Sequence, residues 1–217
     1  MKLNSIFATI LAAAAVSAPL AAQQSSRLQL LPGSTLTIEG TSTLHGFTCK
    51  TDKMEAYIDV DPAFRIKQLT EVAHPIVKTR VVIPVTSLKC GEGKMDKNMY
   101  ETLKADENPT ITYVLSTYSL VPGSTTEVAF GANTEGLLTI VGKDKTISMP
   151  IKATKAADGT ATATGKYALK MTDFGIKPPR FMFGALRVGN DVTVTFNIKA
   201  SASAVAYLSG ETTVAVR

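Results

Sequence analysis

The 217-residue chain carries little charge, two cysteines, two histidines and no long apolar run beyond its N-terminus. Charged residues make up 19% and hydrophobic residues 45% of it, which excludes a disordered chain, a collagen-like repeat and a long coiled coil. No later segment approaches the roughly 20 apolar residues that a membrane helix needs, so we expect a protein that does not span a membrane. The length suits one all-β barrel or sandwich.

The motifs of common enzyme classes are also missing. No nucleophile-elbow pattern accompanies Ser42, His45 and Asp52, and no complete glycine-rich phosphate loop is present. His45, His74 and two distant cysteines make a poor zinc set. The cations are scattered without the concentrated patch that binds nucleic acid. The sequence therefore predicts a protein that is not an enzyme, holds no metal and does not bind nucleic acid.

The first 22 residues have the pattern of a secretory signal peptide. Lys2 precedes an apolar run over residues 6–16, and small residues over 17–22 lead to a polar stretch. Cleavage near Ala22 leaves 22 Lys and Arg against 18 Asp and Glu, a net charge of +4. We expect export to the periplasm, with an extracellular destination left open, and a single domain over residues 23–217.

Export bears on the two cysteines, Cys49 and Cys90, which lie 41 positions apart. An oxidising compartment allows them to pair, and they lack the spacing of a redox Cys-x-x-Cys motif. A structural disulfide is the favoured interpretation. On the loop-entropy model such a bridge would stabilise the fold by roughly 4 kcal/mol.

The mature sequence is dominated by a period of two. Apolar and polar residues alternate without interruption over residues 192–199, and turn signals such as 32–33, 142–144 and 158–159 separate similar runs. About eight strands in successive hairpins are predicted, which indicates an antiparallel sheet. The exception is residues 95–105, where Asp96 as N-cap and a one-sided apolar face predict one short helix between the third and fourth strands.

Eight antiparallel strands must close or stack to hide their edges. An eight-stranded barrel would leave room for side chains or for one small ligand, and a sandwich would show the same alternation. The pattern alone leaves both architectures open.

Several segments, in order, resemble the YceI-like family of exported bacterial proteins. They cover most of residues 34–200. The segments are 40–47, 83–89, 95–100, 103–106, 108–111, 136–140, 149–151, 173–176 and 188–192. The resemblance implies an all-β, antiparallel, eight-stranded lipocalin-like barrel that holds a long-chain amphiphile, with polyisoprenoids as the usual ligand class. No cofactor beyond such a lipid is expected, and a homodimer is left open.

The alternation provides the candidate lining of that interior, and none of it is charged. These residues are Leu36, Ile38, Met54, Ile58, Val81, Ile83, Tyr113, Leu115, Leu138, Ile140, Met149 and Phe196. The same residues would serve equally well in a solid core. The apolar, Gly- and Pro-containing loop over residues 171–189 adds Phe174, Phe181 and Phe183, as a lid over a pocket or a plug in a core. The alternative function is an interaction or structural barrel with a filled core, which acts through its surface or as a homodimer.

Overall fold

A computed structural model describes residues 26–28, 30–60, 76–121, 129–158 and 160–200. Within them the chain forms eleven β-strands and one α-helix. The strands are β1 Ser26–Leu28, β2 Thr35–Ser42, β3 Gly46–Thr51, β4 Glu55–Val60, β5 Ile76–Pro84, β6 Thr110–Leu120, β7 Ala129–Ile140, β8 Lys143–Lys155, β9 Ala161–Lys170, β10 Arg180–Phe181 and β11 Leu186–Ala200, and α1 is Gly93–Thr102. Predictions that fall on His74 and on residues 1–22 lie outside the described residues.

All strand pairs within the described residues are antiparallel, as the period of two predicts. Ten strands follow one continuous path, β1-β4-β5-β6-β7-β8-β9-β11-β2-β3, and β10 pairs with β11 beside it. One curled sheet excludes the sandwich and confirms the barrel-type architecture. The eight predicted strands are all present.

Three short strands were not predicted from the sequence. β1 and β10 have three and two residues, too few to show a period. β3 exposes three of its six residues as it alternates between buried and exposed positions. Its polar and small residues give almost no hydrophobic signal, so its place in the sheet comes from pairing with β2 and not from its own composition.

Two isolated bridges curl the ends of the strand path inward. β1 pairs with β4, and two residues later Leu30 forms a bridge to Ala200 of β11. At the other edge, Lys50 of β3 exchanges two backbone hydrogen bonds of 2.8 Å with Lys89. Each bridge places a sheet edge against another part of the chain, which satisfies backbone groups that an open edge would leave unpaired.

The predicted disulfide between Cys49 and Cys90 is present and lies beside this second bridge. It joins β3 to the segment that leads into α1. Cys49 is only 1% exposed, so the bond is enclosed by the fold on the β3 side. The covalent link and the backbone bridge together hold α1 against the sheet.

α1 connects β5 and β6, the third and fourth predicted strands, but it begins and ends earlier than predicted. Glu92 is the N-cap residue and makes no side-chain capping bond. Asp96, the predicted N-cap, lies inside the helix, where its Oδ1 accepts a hydrogen bond of 2.6 Å from the backbone N–H of Cys90. The carboxylate therefore fastens the preceding loop and does not start the helix.

A packed cluster, which we call the helix-end core, closes the barrel beside α1. It consists of the four residues of the buried core that do not line its cavity, Val85, Leu88, Ala105 and Phe174. Val85, Leu88 and Phe174 are at most 1% exposed. Val85 reaches this position because its N–H donates to Pro109 O at 2.9 Å, which ties the short 3-10 turn Val85–Ser87 to the start of β6.

Candidate functional site

The inner face of the curled sheet encloses a cavity of about 1710 Å³, which we call the lumen. Ligand pockets usually measure about 300 to 1,000 Å³, so this one is large enough for a ligand bigger than a typical metabolite. Its lining extends from Leu44 and Met182, at the end where α1 lies, to Ala129, Thr154 and Ala161 at the opposite strand ends. The lumen therefore runs the length of the barrel.

Strand alternation explains why the lining is apolar. In β8, Ile147, Met149 and Ile151 line the lumen, whereas Ser148 and Pro150 between them are exposed. Successive side chains of a strand point to opposite faces of the sheet, so the period of two becomes one apolar and one polar face. β11 follows the same rule and contributes its own alternate residues. These are Val192, Val194, Phe196, Ile198 and Ala200.

Most of the residues predicted from the sequence lie in this wall. The twelve that line the lumen are Leu36, Ile38, Met54, Val81, Ile83, Tyr113, Leu115, Leu138, Ile140, Met149, Phe181 and Phe196. The side chain of Ile58 lies outside the described part of the chain. That these residues contact a ligand stays a prediction.

Phe174 and Phe183 do not line the lumen, contrary to their assignment to a lid. The 3-10 turn Met171–Phe174 directs the Phe174 ring into the helix-end core, where it is 1% exposed. Gly175 follows in the left-handed conformation, φ 70°, which reverses the chain, and the next residue, Ile176, is buried and lines the lumen. Phe183 is fully exposed to solvent. One part of the loop over residues 171–189 therefore packs into the core, another part lines the lumen through Phe181 and Met182, and Phe183 lies on the surface.

Three aromatic rings of the wall lie flat on glycines of neighbouring strands. A Cβ on Gly136 would lie 2.5 Å from Cζ of Tyr113, and one on Gly165 would lie 2.5 Å from Cζ of Phe196. Phe47 covers Gly40 in the same way. Real Cβ atoms do not approach so closely, so only glycine lets these rings fold down against the sheet. The rings therefore cover backbone and leave the centre of the lumen open.

Tyr113 is a polar group within the apolar wall. Its hydroxyl lies 3.4 Å from Thr134 Oγ1, which itself donates to Met149 O at 2.8 Å. Burial raises the pKa of Tyr113 above its ordinary value, so the hydroxyl stays neutral at physiological pH. Since Thr134 gives its own proton to Met149 O, the single O–H of Tyr113 donates to Thr134, and the phenol oxygen can accept one hydrogen bond from a hydroxyl of a bound molecule.

Part of the lining was missed from the sequence. Phe47 lies on the unpredicted strand β3, and Met95 and Met99 of α1 reach the lumen from the helix. Small residues make up much of the remainder, because methyl groups give a weak hydrophobic signal. They are Ala129, Ala153, Ala161, Ala163 and Ala200. Ala161 and Ala163 occupy the inward positions of β9, so the alternation of that strand would have identified them if small residues had been counted as part of the wall.

Ser42 and His45 do not form a nucleophile–base pair. Ser42 Oγ donates to His45 O at 2.8 Å and accepts from the His45 N–H at 3.2 Å, both backbone atoms of the β2–β3 turn. The His45 ring meets Gly46 O at 2.6 Å through Nδ1. Asp52 pairs instead with Lys53 at 3.5 Å. These contacts shape the β2–β3 turn.

The described ranges contain neither a metal-type cluster of side chains nor a membrane-type helix. Among them, no three His, Cys, Asp or Glu side chains converge as a metal would require. No helix in the same ranges has the length and apolar character to cross a bilayer.

The comparisons with known proteins agree with this architecture. The family model of the YceI-like domain matches residues 22–200. Comparison with curated proteins finds no match. Among solved structures, a polyisoprenoid binding domain from Saccharophagus degradans is 13% identical, with a TM-score of 0.62, and the match covers 82% of this chain and 99% of that one.

Two further structures show the same fold. Burkholderia cenocepacia BcnA is 19% identical, with a TM-score of 0.60, over 77% of this chain and 96% of that one. A Campylobacter jejuni YCEI protein is 19% identical, with a TM-score of 0.52, over 70% of this chain and 82% of that one. At these identities the likeness concerns the fold alone.

Proposed function

This chain belongs to the YceI-like domain family, and we propose that it binds one long-chain lipid, a polyisoprenoid or a fatty chain, inside its lumen. The observation that carries the proposal is an open lumen of about 1710 Å³ with an apolar wall. Water in such a space finds few hydrogen-bond partners, whereas an apolar chain gains roughly 25 cal/mol for each Å² it buries. The cost of ordering the chain offsets part of that gain.

Polar groups at the helix end support one orientation of such a lipid. Glu92, Lys94 and Asn98 line the lumen where α1 begins, whereas alanines and threonines line the opposite end. A polar head placed near Lys94 and Asn98 keeps its hydrogen bonds, and the apolar tail then extends down the barrel.

The polyisoprenoid class is the favoured ligand among lipids. It is the ligand named for the Saccharophagus degradans domain, a protein of the same fold. A branched isoprenoid chain also suits a wall that offers flexible thioethers beside small residues. Met95, Met99 and Met149 provide side chains that adapt to methyl branches.

We further propose that the protein works as a carrier or buffer in the periplasm, without catalysis. The signal-peptide pattern over residues 1–22 supports export. The disulfide between Cys49 and Cys90 fits an oxidising compartment. The alternative, a barrel with a filled core that acts through its surface or as a homodimer, is disfavoured because the lumen is open.

A pair of variants tests whether the lumen is the binding site. Ala163→Phe places a ring inside the lumen, and Ala168→Phe places the same ring on the exposed face of the same strand. The probes are solanesol, which is a long polyprenol, and palmitate. Each is added to delipidated protein, and native mass spectrometry measures the number of probe molecules bound per chain. Ala163→Phe should bind at least tenfold less solanesol than wild type, and Ala168→Phe should bind as wild type does.

Other outcomes would separate the parts of the proposal. Equal uptake by Ala163→Phe and wild type would contradict a site in the lumen. Preference for palmitate over solanesol would favour the fatty chain over the polyisoprenoid. No uptake of either probe by wild type would favour the surface-acting barrel.

A further inference from the structure

A β-hairpin beside the mouth of the lumen exposes large apolar side chains to water. Met182 is 73% exposed, Phe183 is fully exposed, and Leu44 of the β2–β3 turn is 72% exposed. Apart from Leu137, they are the only large apolar residues so exposed in the described part of the chain. We call these three residues the apolar tip. Exposed apolar groups gathered at one place mark an interaction site.

Hydrogen bonds hold the two loops of the apolar tip together. Thr43 Oγ1 donates to Ala185 O at 3.1 Å, and the Thr43 N–H donates to Arg187 O at 3.0 Å. Leu44 and Met182 also line the lumen. The apolar tip is therefore a defined surface that borders the lumen.

The backbone of the apolar tip is strained. Met182 and Phe183 have φ angles of 51° and 54°, in the left-handed region that favours glycine, and Gly184 follows at 90°. Such strain persists only where the surrounding structure enforces it, and it is concentrated at functional sites. Hydrogen bonds from Arg187 Nε to Gly184 O at 2.9 Å and from the Ala185 N–H to Met182 O at 3.1 Å hold this turn, which presents the Phe183 ring to solvent and not to the protein interior.

Two arginines lie in register at the base of the same hairpin. Arg180 of β10 pairs with Arg187 of β11, and both side chains are exposed. Like charges directly opposite each other destabilise a strand pair. Neither arginine takes part in any ion pair found among the described residues. An external anionic partner would relieve this repulsion.

We propose that the hairpin Arg180–Arg187 and Leu44 dock onto an anionic lipid bilayer, with the apolar tip inserted and the arginines on the headgroups. Apolar residues that penetrate the interface, together with cations that contact acidic lipids, are the two contributions that bind a peripheral protein to a bilayer. Docking in this orientation places the mouth of the lumen on the lipid surface. Lys94 at the rim adds a third cation and Glu92 one opposing charge.

The test is cosedimentation of the full chain with vesicles of phosphatidylglycerol and phosphatidylcholine, compared with vesicles of phosphatidylcholine alone. Wild type should bind the anionic vesicles at least tenfold more strongly. The tip variant is Met182→Asn with Phe183→Asn, because asparagine tolerates the left-handed backbone and removes the apolar surface. The charge variant is Arg180→Gln with Arg187→Gln. Each should reduce binding about tenfold or more.

Leu137→Asn is the matched control, since Leu137 is an exposed apolar residue on the outer face of β7 and does not belong to the apolar tip. It should bind as wild type does. The inference is overturned if wild type ignores the anionic vesicles, if the tip variant binds unchanged, or if neutral vesicles bind equally well. A dimer that depends on the apolar tip, without vesicle binding, would also overturn it in favour of a second copy as partner.

Docking and lipid binding in the lumen can fail separately. Ala163→Phe changes only the lumen, so it should bind vesicles as wild type does even though it takes up less solanesol. Vesicle binding without any lipid uptake would leave the docking surface standing and reject the proposed ligand site. Lipid uptake without vesicle binding would support the ligand site in the lumen and reject the docking surface.

Discussion

The apolar residues inside the barrel are packed differently at its helix end and along its lumen. In the helix-end core, Val85, Leu88 and Phe174 touch other side chains on every side and are at most 1% exposed. Along the lumen, Tyr113 and Phe196 point inward as well, but they stay half-exposed towards open space. The residues are of the same kind, but those of the helix-end core lie in turns and loops, whereas Tyr113 and Phe196 lie on strands.

This difference in packing means that the helix-end core stabilises the fold, whereas the lumen provides space for a ligand. Close packing gives dispersion contacts that a cavity wall lacks, so the helix-end core contributes more stability per side chain than the lumen wall does. The side chains of the lumen wall make fewer such contacts, because they border open space. The disulfide between Cys49 and Cys90 and the bridge between Lys50 and Lys89 brace the region where the wall meets α1.

The largest expected effect comes from emptying the helix-end core. Phe174→Ala should lower the free energy of unfolding by about 3–5 kcal/mol, because it leaves a cavity among fixed neighbours. Phe196→Ala removes a ring of equal size from the lumen wall and should cost under about 2 kcal/mol, since the ring already borders open space. Urea denaturation of the delipidated proteins measures both. Equal losses would contradict the comparison.

Removing the disulfide should have the next largest effect. The double variant Cys49→Ala with Cys90→Ser should have a free energy of unfolding that is lower by about 2–4 kcal/mol. The reason is that its unfolded chain regains the freedom that a cross-link between residues 41 positions apart removes. Thermal denaturation with and without a reductant gives the same comparison in wild type. If reduction leaves the midpoint unchanged, the bond does not brace the helix end.

Gly136→Ala and Gly165→Ala test how the lumen stays open. Each new Cβ would collide with the ring of Tyr113 or Phe196, so the ring must swing into the lumen. We expect losses of about 1–3 kcal/mol in stability and a clear drop in solanesol uptake.

The control for both glycine variants is Gly93→Ala, in the first turn of α1, where a Cβ meets nothing within 4 Å. It should keep stability and uptake, or gain slightly in stability. Unchanged uptake in both wall variants would show that the flat rings do not keep the lumen open.

The smallest effect is a pH dependence from Tyr113. Burial raises its folded-state pKa above the unfolded value of about 10, so its contribution is complete below pH 10 and is lost as pH rises through the folded value. The urea midpoint should therefore fall more steeply above about pH 10 in wild type than in Tyr113→Phe. Parallel pH profiles would show that the hydroxyl is not buried in solution.

The sequence predicts the long strands well, because eight runs of alternating residues are each half-buried. It misses β3, whose pairing with β2 and whose disulfide hold it in place without an apolar pattern of its own. It also misplaces the start of α1, because the Asp96 carboxylate accepts a hydrogen bond from the Cys90 N–H and does not cap the helix.

The site is only partly predictable for a different reason. Alternation identifies which residues face inward, and twelve of the fifteen named residues do line the lumen. It cannot tell a packed interior from an open one, since Phe174 and Phe196 are equally apolar. The loop over residues 171–189 has no regular period. Local turns therefore decide that Phe174 is buried and that Phe183 is exposed.

Native mass spectrometry of the mature protein, purified from its own host without detergent, tests the central claim most directly. The account predicts a reproducible excess mass of one molecule per chain, which solvent extraction releases as a long-chain lipid. Bare protein mass, together with no uptake from an offered mixture of polyprenols and fatty acids, would contradict it.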